Sequence, residues 1–213
     1  MRQHGLLLQP CTGRREGRVH DGKVIVMRSD LRWCSDGFEF AAWNSEIVRV
    51  AFVMDAHDRE AIAHAAVANC GISGSDVRDM MLEALKRCFR TIRAPHRVEF
   101  LSDIGSPYTA KATRHFAISL GPKPRFTPVA SPESNGISEA FVKAFKRDYV
   151  RVRPIPDART ALPQIAGWFE DYNENHPHSG LKWKSPREFR NVHQPSRLSG
   201  ETGATPPCKA KYD

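Results

Sequence analysis

Between Leu31 and Phe40, and again between Ile47 and Met54, β-branched and aromatic residues alternate or run together between polar turns, which predicts two strands. Asn44-Ser45 supplies the turn that joins them as a hairpin. A third stretch, Glu60 to Val67, reads as a strand, although its alanines serve a helix equally well. Gly71 and Gly74 interrupt the pattern. Val77, Met80, Met81, Ala84, Leu85 and Cys88 then recur with the helical period, and Ser75 or Asp76 is placed to cap that helix. After Pro95, Val98 to Leu101 predicts a short strand that ends at Ser102-Asp103. A Gly-Ser-Pro turn, a helix from Thr109 to Leu120 and a brief strand from Arg125 to Thr127 follow. The proline-bearing loop Pro128 to Asn135 leads into a helix that starts at Ile137 and buries Phe141, Ala144 and Phe145. A final helix runs from Arg159 through Trp168, Phe169 and Tyr172 to the polar turn Asn175-His176-Pro177-His178. A β-meander followed by alternating helices and strands predicts an α/β fold, a mixed sheet with helices packed on it.

Composition sharpens the domain picture. The 213 residues suffice for one substantial core with short appendages. A basic, flexible segment at 1–27, a core at 28–190 and a flexible tail at 191–213 are expected, because the ends are rich in Gly, Pro, Ser and Arg and poor in large apolar residues. Lys and Arg outnumber Asp and Glu by 32 to 24, a net charge of +8 that favours a polyanionic partner. Five of the basic residues, against the single acid Asp148, fall between Lys143 and Arg153. The five cysteines are scattered without a CxxC pair, so reduced thiols are expected rather than a disulfide framework or zinc site. No apolar run is long enough to span a bilayer, and an intracellular protein with no membrane partner is expected.

Three carboxylates carry the candidate chemistry. Asp36 lies in the first strand on the side of Phe38 and Phe40, where a charge is costly unless it is paired, metal-bound or at an exposed rim. Asp103 ends a strand just before Gly105, a usual place for a functional side chain in an open sheet and equally for a cap. Glu139 sits one turn into its helix, about 200° around from Phe141, with Lys143 and Lys146 on the same outward face. It also suits the helix dipole there. Carboxylate oxygens match Mg²⁺ or Mn²⁺, and two such ions about 4 Å apart can drive an in-line phosphoryl displacement. Asp55, His57 and Asp58 read as a polar turn closing the second strand, and His176 and His178 as turn residues. There is no P-loop, dinucleotide fingerprint, HExxH or nucleophile elbow.

Five blocks in order, RWCSDGFEF at 32–40, VMDAHDREAI at 53–62, LSDIGSPY at 101–108, SPESNGISEAFVKAFKRDY at 131–149 and YNENHPHSGLKWKSPREF at 172–189, resemble the catalytic core of bacterial insertion-sequence transposases of the retroviral-integrase type. The resemblance implies a ribonuclease H-like fold, a mixed five-stranded sheet with helices on both faces. It places the family's metal-chelating acids on Asp36, Asp103 and Glu139, the last two with the family's 35-residue gap, and two Mg²⁺ or Mn²⁺ ions between them. It assigns Lys143, Lys146 and Arg147 to double-stranded DNA at the element ends and gives the YN…HPHS…SPREF stretch a structural role. The implied activity is nicking at element ends and transfer of the 3′-hydroxyl strand to target DNA, in a nucleoid-associated homo-oligomer of the bacterial cytoplasm. Two departures stand out. Ile104 occupies the place of the family's usual Asn, and residues 1–35 lack the helix-turn-helix that a first-reading-frame product would then supply. The alternative reading is a catalytically silent remnant that only binds DNA or dimerises.

Overall fold

The computed structural model describes residues 26–103, 105–126 and 136–193. The expected flexible ends, the residue Ile104 and the loop Pro128 to Asn135 lie wholly or mainly outside the described residues. Five strands form one sheet: β1 (Arg32–Ala41), β2 (Ile47–Asp55), β3 (Ala61–Ala68), β4 (Glu99–Ser102) and β5 (Lys123–Phe126). Their order is β3-β2-β1-β4-β5; the first three pair antiparallel as a meander, while β4 and β5 add in parallel. This is the mixed five-stranded sheet that the resemblance implied.

Strand alternation divides the core in two. Cys34, Phe38 and Phe40 of β1 join Val48, Val50, Phe52 and Met54 of β2 on one face. They pack under α4 (Gly136–Phe145) and α5 (Ala158–Asn175) through Phe141, Phe145, Ile165, Trp168, Phe169 and Tyr172. On the other face Trp33, Val53 and Phe100 meet α1 (Gly74–Phe89) through Val77, Met80, Met81, Ala84, Leu85 and Cys88. Helices therefore cover both faces, and β3 lies between α1 and α5. The ambiguous alanines resolve as strand, because small side chains let the flanking helices approach a strand that Asn173 of α5 clasps through both backbone groups of Ala61 (2.8 and 2.9 Å).

Local boundaries differ from expectation for identifiable reasons. Ser73, rather than Ser75 or Asp76, caps α1, and a reciprocal capping box with Asp76 satisfies two otherwise orphaned amides. The expected helix from Thr109 to Leu120 is two, α2 (Ser106–Thr109) and α3 (Lys111–Leu120), broken where Ala110 turns extended (φ −52°, ψ 133°). Gly121 ends α3 at φ 106°, and a Cβ there would meet Ala94 at 3.0 Å. α4 continues as a π-helical segment, Lys146–Val150, which turns the following side chains off the α-helical period. A further helix, α6 (Pro186–His193), follows α5 where no helix was expected. Its signal was present in the sequence: Ser185 and Glu188 form a capping box, each amide held by the other's side chain (2.9 and 3.2 Å).

Candidate active site

The parallel pairing of β1 with β4 sets Ser35 opposite Ser102. Asp36 and Asp103 each follow that last pair by one residue, Asp36 still within β1 and Asp103 just past the end of β4. The Asp36 side chain falls on the α4/α5 face by alternation, since it is directly opposite Phe52 in the β1–β2 ladder. Asp36 is half-buried, with its Oδ1 accepting the Gly37 amide at 2.7 Å, and Asp103 is exposed. Behind them Ser35 is fully buried and donates from Oγ to the Phe52 carbonyl at 2.7 Å. Its hydroxyl also lies 2.9 Å from that of Tyr108, which anchors α2 beneath the acid pair. Burial pushes the Cys34 thiol and the Tyr108 hydroxyl up to about 12, so both stay neutral beside Asp36.

The third acid, Glu139, lies on α4. The Phe141 ring packs on Phe52 at 4.5 Å between centroids and fixes the rotation of α4. Two residues earlier the helix turns its side chain about 160–200° away, and Glu139 is exposed. Among the described residues no group of three or more His, Cys, Asp or Glu side chains is gathered so as to hold a metal ion. Carboxylate oxygens such as those of Asp36 and Asp103 are the hard donors that Mg²⁺ or Mn²⁺ takes. The basic residues on this helix also differ from one another. Lys143 is exposed, whereas Lys146 leans back over Phe38 with its ammonium 5.7 Å from the ring centroid. Arg147 is forked onto Asp148 at 2.6 and 2.7 Å.

The polar turn at Asp55, His57 and Asp58 proves to be part of a buried ionic cluster that also ties down the ends of the core. Arg190 of α6 donates to both oxygens of Asp30 (2.8 and 2.7 Å) and to Glu60 (2.8 Å), and its guanidinium lies 3.2 Å from Asp58. Asp55 accepts the amides of Asp30 and His57 at 2.6 and 2.7 Å. Burial and the neighbouring Asp58 carboxylate nevertheless push Asp55 up to about 8. A carboxyl raised in the folded state stabilises fully below its unfolded value near 4 and loses that contribution as pH rises towards 8. Asp55→Asn should therefore flatten the fall in stability between pH 5 and 8, measured by urea unfolding against the parent. Histidines held low by burial, His64 and His178 at about 4, act oppositely up to about pH 6.5 in both proteins and so cancel in the comparison. Identical slopes would remove Asp55 as the titrating group.

Comparison with known proteins fits this geometry. Two family models, each described as an integrase core domain, match the chain, one over residues 27–132 and the other over 120–186. The chain is 65% identical over 189 residues to an uncharacterized protein of insertion element IS136 from Agrobacterium fabrum, covering 89% of this chain and 97% of that one. It is 50% identical over 191 residues to the transposase InsD of an IS2 element from Escherichia coli, covering 89% of this chain and 63% of that protein. In three dimensions it is similar to a chain of the simian T-cell lymphotropic virus intasome complex (TM-score 0.61, 17% identity, 88% of this chain and 62% of that one). The Mos1 mariner transposase catalytic domain is similar too (TM-score 0.57, 14% identity, 78% and 76% covered). At those identities the likeness to solved structures establishes the ribonuclease H-like fold, while the sequence matches establish kinship: the chain belongs to the integrase core family, among the transposases of bacterial insertion elements.

Proposed function

We propose that this chain is the DNA-handling core of an insertion element, which in the arrangement described binds duplex DNA across the α4 face without a complete metal site. The observation that supports the reading is a helix, α4, that exposes Lys143, together with no group of three or more potential metal ligands gathered among the described residues. Lys143, Lys146 and Arg147 are the phosphate contacts in this reading, with Arg147 exchanging Asp148 for DNA. The partners are element ends and target DNA, a first-frame product supplying a helix-turn-helix, and further copies of this chain, in the bacterial cytoplasm. The core proper is 28–190, with the segments 1–27 and 191–213 as its appendages.

A second reading is favoured by the β1–β4 register, whose last pair Ser35–Ser102 immediately precedes Asp36 and Asp103. With Glu139 brought to Asp36 and Asp103 the three acids would hold two Mg²⁺ or Mn²⁺ ions, the donor set of a polynucleotidyl transferase that nicks at element ends and joins the 3′-hydroxyl strand to target. The chain's own residues would then position the scissile phosphate: Lys143 neutralises the backbone, and Ser35 with Tyr108 holds β1 and α2 beneath the acids.

One experiment separates the two. Duplex terminal-repeat DNA is titrated at increasing salt with the parent, with Lys143→Ala/Lys146→Ala and with Asp103→Asn, and strand transfer is followed in Mn²⁺. The double lysine variant should lower the salt slope by about 2, near 0.9 for each phosphate that is no longer neutralised. An unchanged slope removes α4 as the DNA-binding element. Under the binding reading neither the parent nor Asp103→Asn transfers strands. Transfer by the parent that falls about 100-fold or more in Asp103→Asn would establish the transferase instead, since even groups behind metal ligands act on that scale.

A further inference from the structure

The four tryptophans divide into a buried pair, Trp33 and Trp168, and an exposed pair, Trp43 and Trp183, at 73% and 74%. The exposure of Trp183 is imposed by its backbone. A 3₁₀ turn, Ser179–Leu181, ends at Lys182 with φ 58° and ψ 41°, and Trp183 follows with φ 63°. Two consecutive large side chains in the left-handed region are sterically disfavoured, and such a conformation persists only where its surroundings over-determine it. Here they do. The Trp183 amide donates to the His178 carbonyl at 2.8 Å, the His178 amide to the Lys184 carbonyl at 3.1 Å, and Leu181 is buried beneath. The result is a rigid turn that holds an indole out into solvent between two lysines, Lys182 and Lys184.

The turn stands on the same side of the sheet as Asp36. Asp36 faces Phe52, which packs on Phe141 (4.5 Å); Phe141 packs on Tyr172 (4.8 Å), and Tyr172 on His178 (5.3 Å), the first residue of the turn. An exposed aromatic alone would suit a protein partner as well as a nucleic acid. The flanking lysines decide between them, because lysine is depleted at protein–protein interface cores, while an aromatic face bracketed by cations is the pattern of base stacking with phosphate neutralisation.

We propose that Trp183 is a stacking platform for an unpaired base of the DNA handled by this core, with Lys182 and Lys184 meeting the phosphates on either side. The inference rests on the DNA-binding reading above. A base inside a duplex has both faces occupied by its neighbours, so an overhanging or frayed nucleotide is the form that offers its face to the indole.

The test compares a blunt duplex with the same duplex carrying a short single-stranded overhang, using the full chain. In a Trp43→Phe background, where Trp183 is the remaining exposed indole, the overhang should quench tryptophan fluorescence. Trp183→Ala should reduce the preference for the overhang roughly tenfold, and Trp183→Phe, which keeps a stacking ring, should retain most of it. An unchanged preference in Trp183→Ala overturns the proposal. So does a dimer in the parent that becomes a monomer in Trp183→Ala by sedimentation, with the preference unaltered, which would make the turn a protein contact. Salt-dependent binding of the blunt duplex without overhang preference sinks this inference alone; absence of all DNA binding sinks the DNA-binding reading with it.

Discussion

Arg190→Ala should destabilise the protein by about 3–5 kcal/mol, the scale on which removing one partner leaves buried charges uncompensated. For a chain of this size that corresponds to a fall in melting temperature of roughly 6–20 °C. The guanidinium is 4% exposed and is the common partner of Asp30, Asp58 and Glu60, whose side chains are 5%, 0% and 16% exposed. Arg187, one helical turn earlier, pairs with Glu60, Glu170 and Glu174. The cluster therefore joins the entry to β1, the β2–β3 turn, α5 and α6. Arg190→Met keeps much of the volume and removes the charge, so it should lose nearly as much as the alanine variant in urea unfolding. Adding Asp30→Asn to it should recover part of the loss. A loss below about 1 kcal/mol for Arg190→Ala would place the cluster in the class of solvent-screened surface pairs.

What the sequence made legible, and what it hid, follows from the range of the interactions. The β1–β2 hairpin and α1 are readable because local periodicity carries them: Val77, Met80, Met81, Ala84, Leu85 and Cys88 are all buried as the period requires. β3 is ambiguous in sequence because its alanines are explained by helices on both sides, which no local pattern reveals. The pairing of β1 with β4 just before Asp36 and Asp103 has no local signature, since it depends on the parallel register of two strands far apart in sequence. Lys146 was expected to face outward beside Glu139. Its approach to Phe38 and the π-helical segment that begins there lie beyond what an ideal 3.6-residue period describes. The Arg190 cluster is hidden by distance, for Asp30 and Arg190 are 160 residues apart. Along the chain its members divide between a polar turn and the edge of the core. The exposed Trp183 leaves only a compositional trace, Lys-Trp-Lys, whose meaning depends on two left-handed residues.

Phe141→Ala should cost a similar 3–5 kcal/mol, the usual range for truncating a buried aromatic, and should also disturb DNA binding. Phe141 is 2% exposed and its ring meets Phe52, Phe145, Phe169 and Tyr172 at 4.5 to 5.8 Å. It is thus the residue that sets how α4 is rotated on the sheet, and with it the directions of Glu139 and Lys143. Phe141→Leu, which refills most of the space, should lose markedly less stability than the alanine variant. If the ring fixes the rotation, the alanine variant at a temperature where it remains folded should show a lower salt slope for duplex DNA, because Lys143 is no longer held towards the phosphates. The leucine variant should keep the parent slope. A stability loss with the slope intact in Phe141→Ala would mean that α4 is oriented by Phe145 and the π-helical segment instead. The direction of Glu139 would then be set by the far end of the helix rather than by the ring two residues after it.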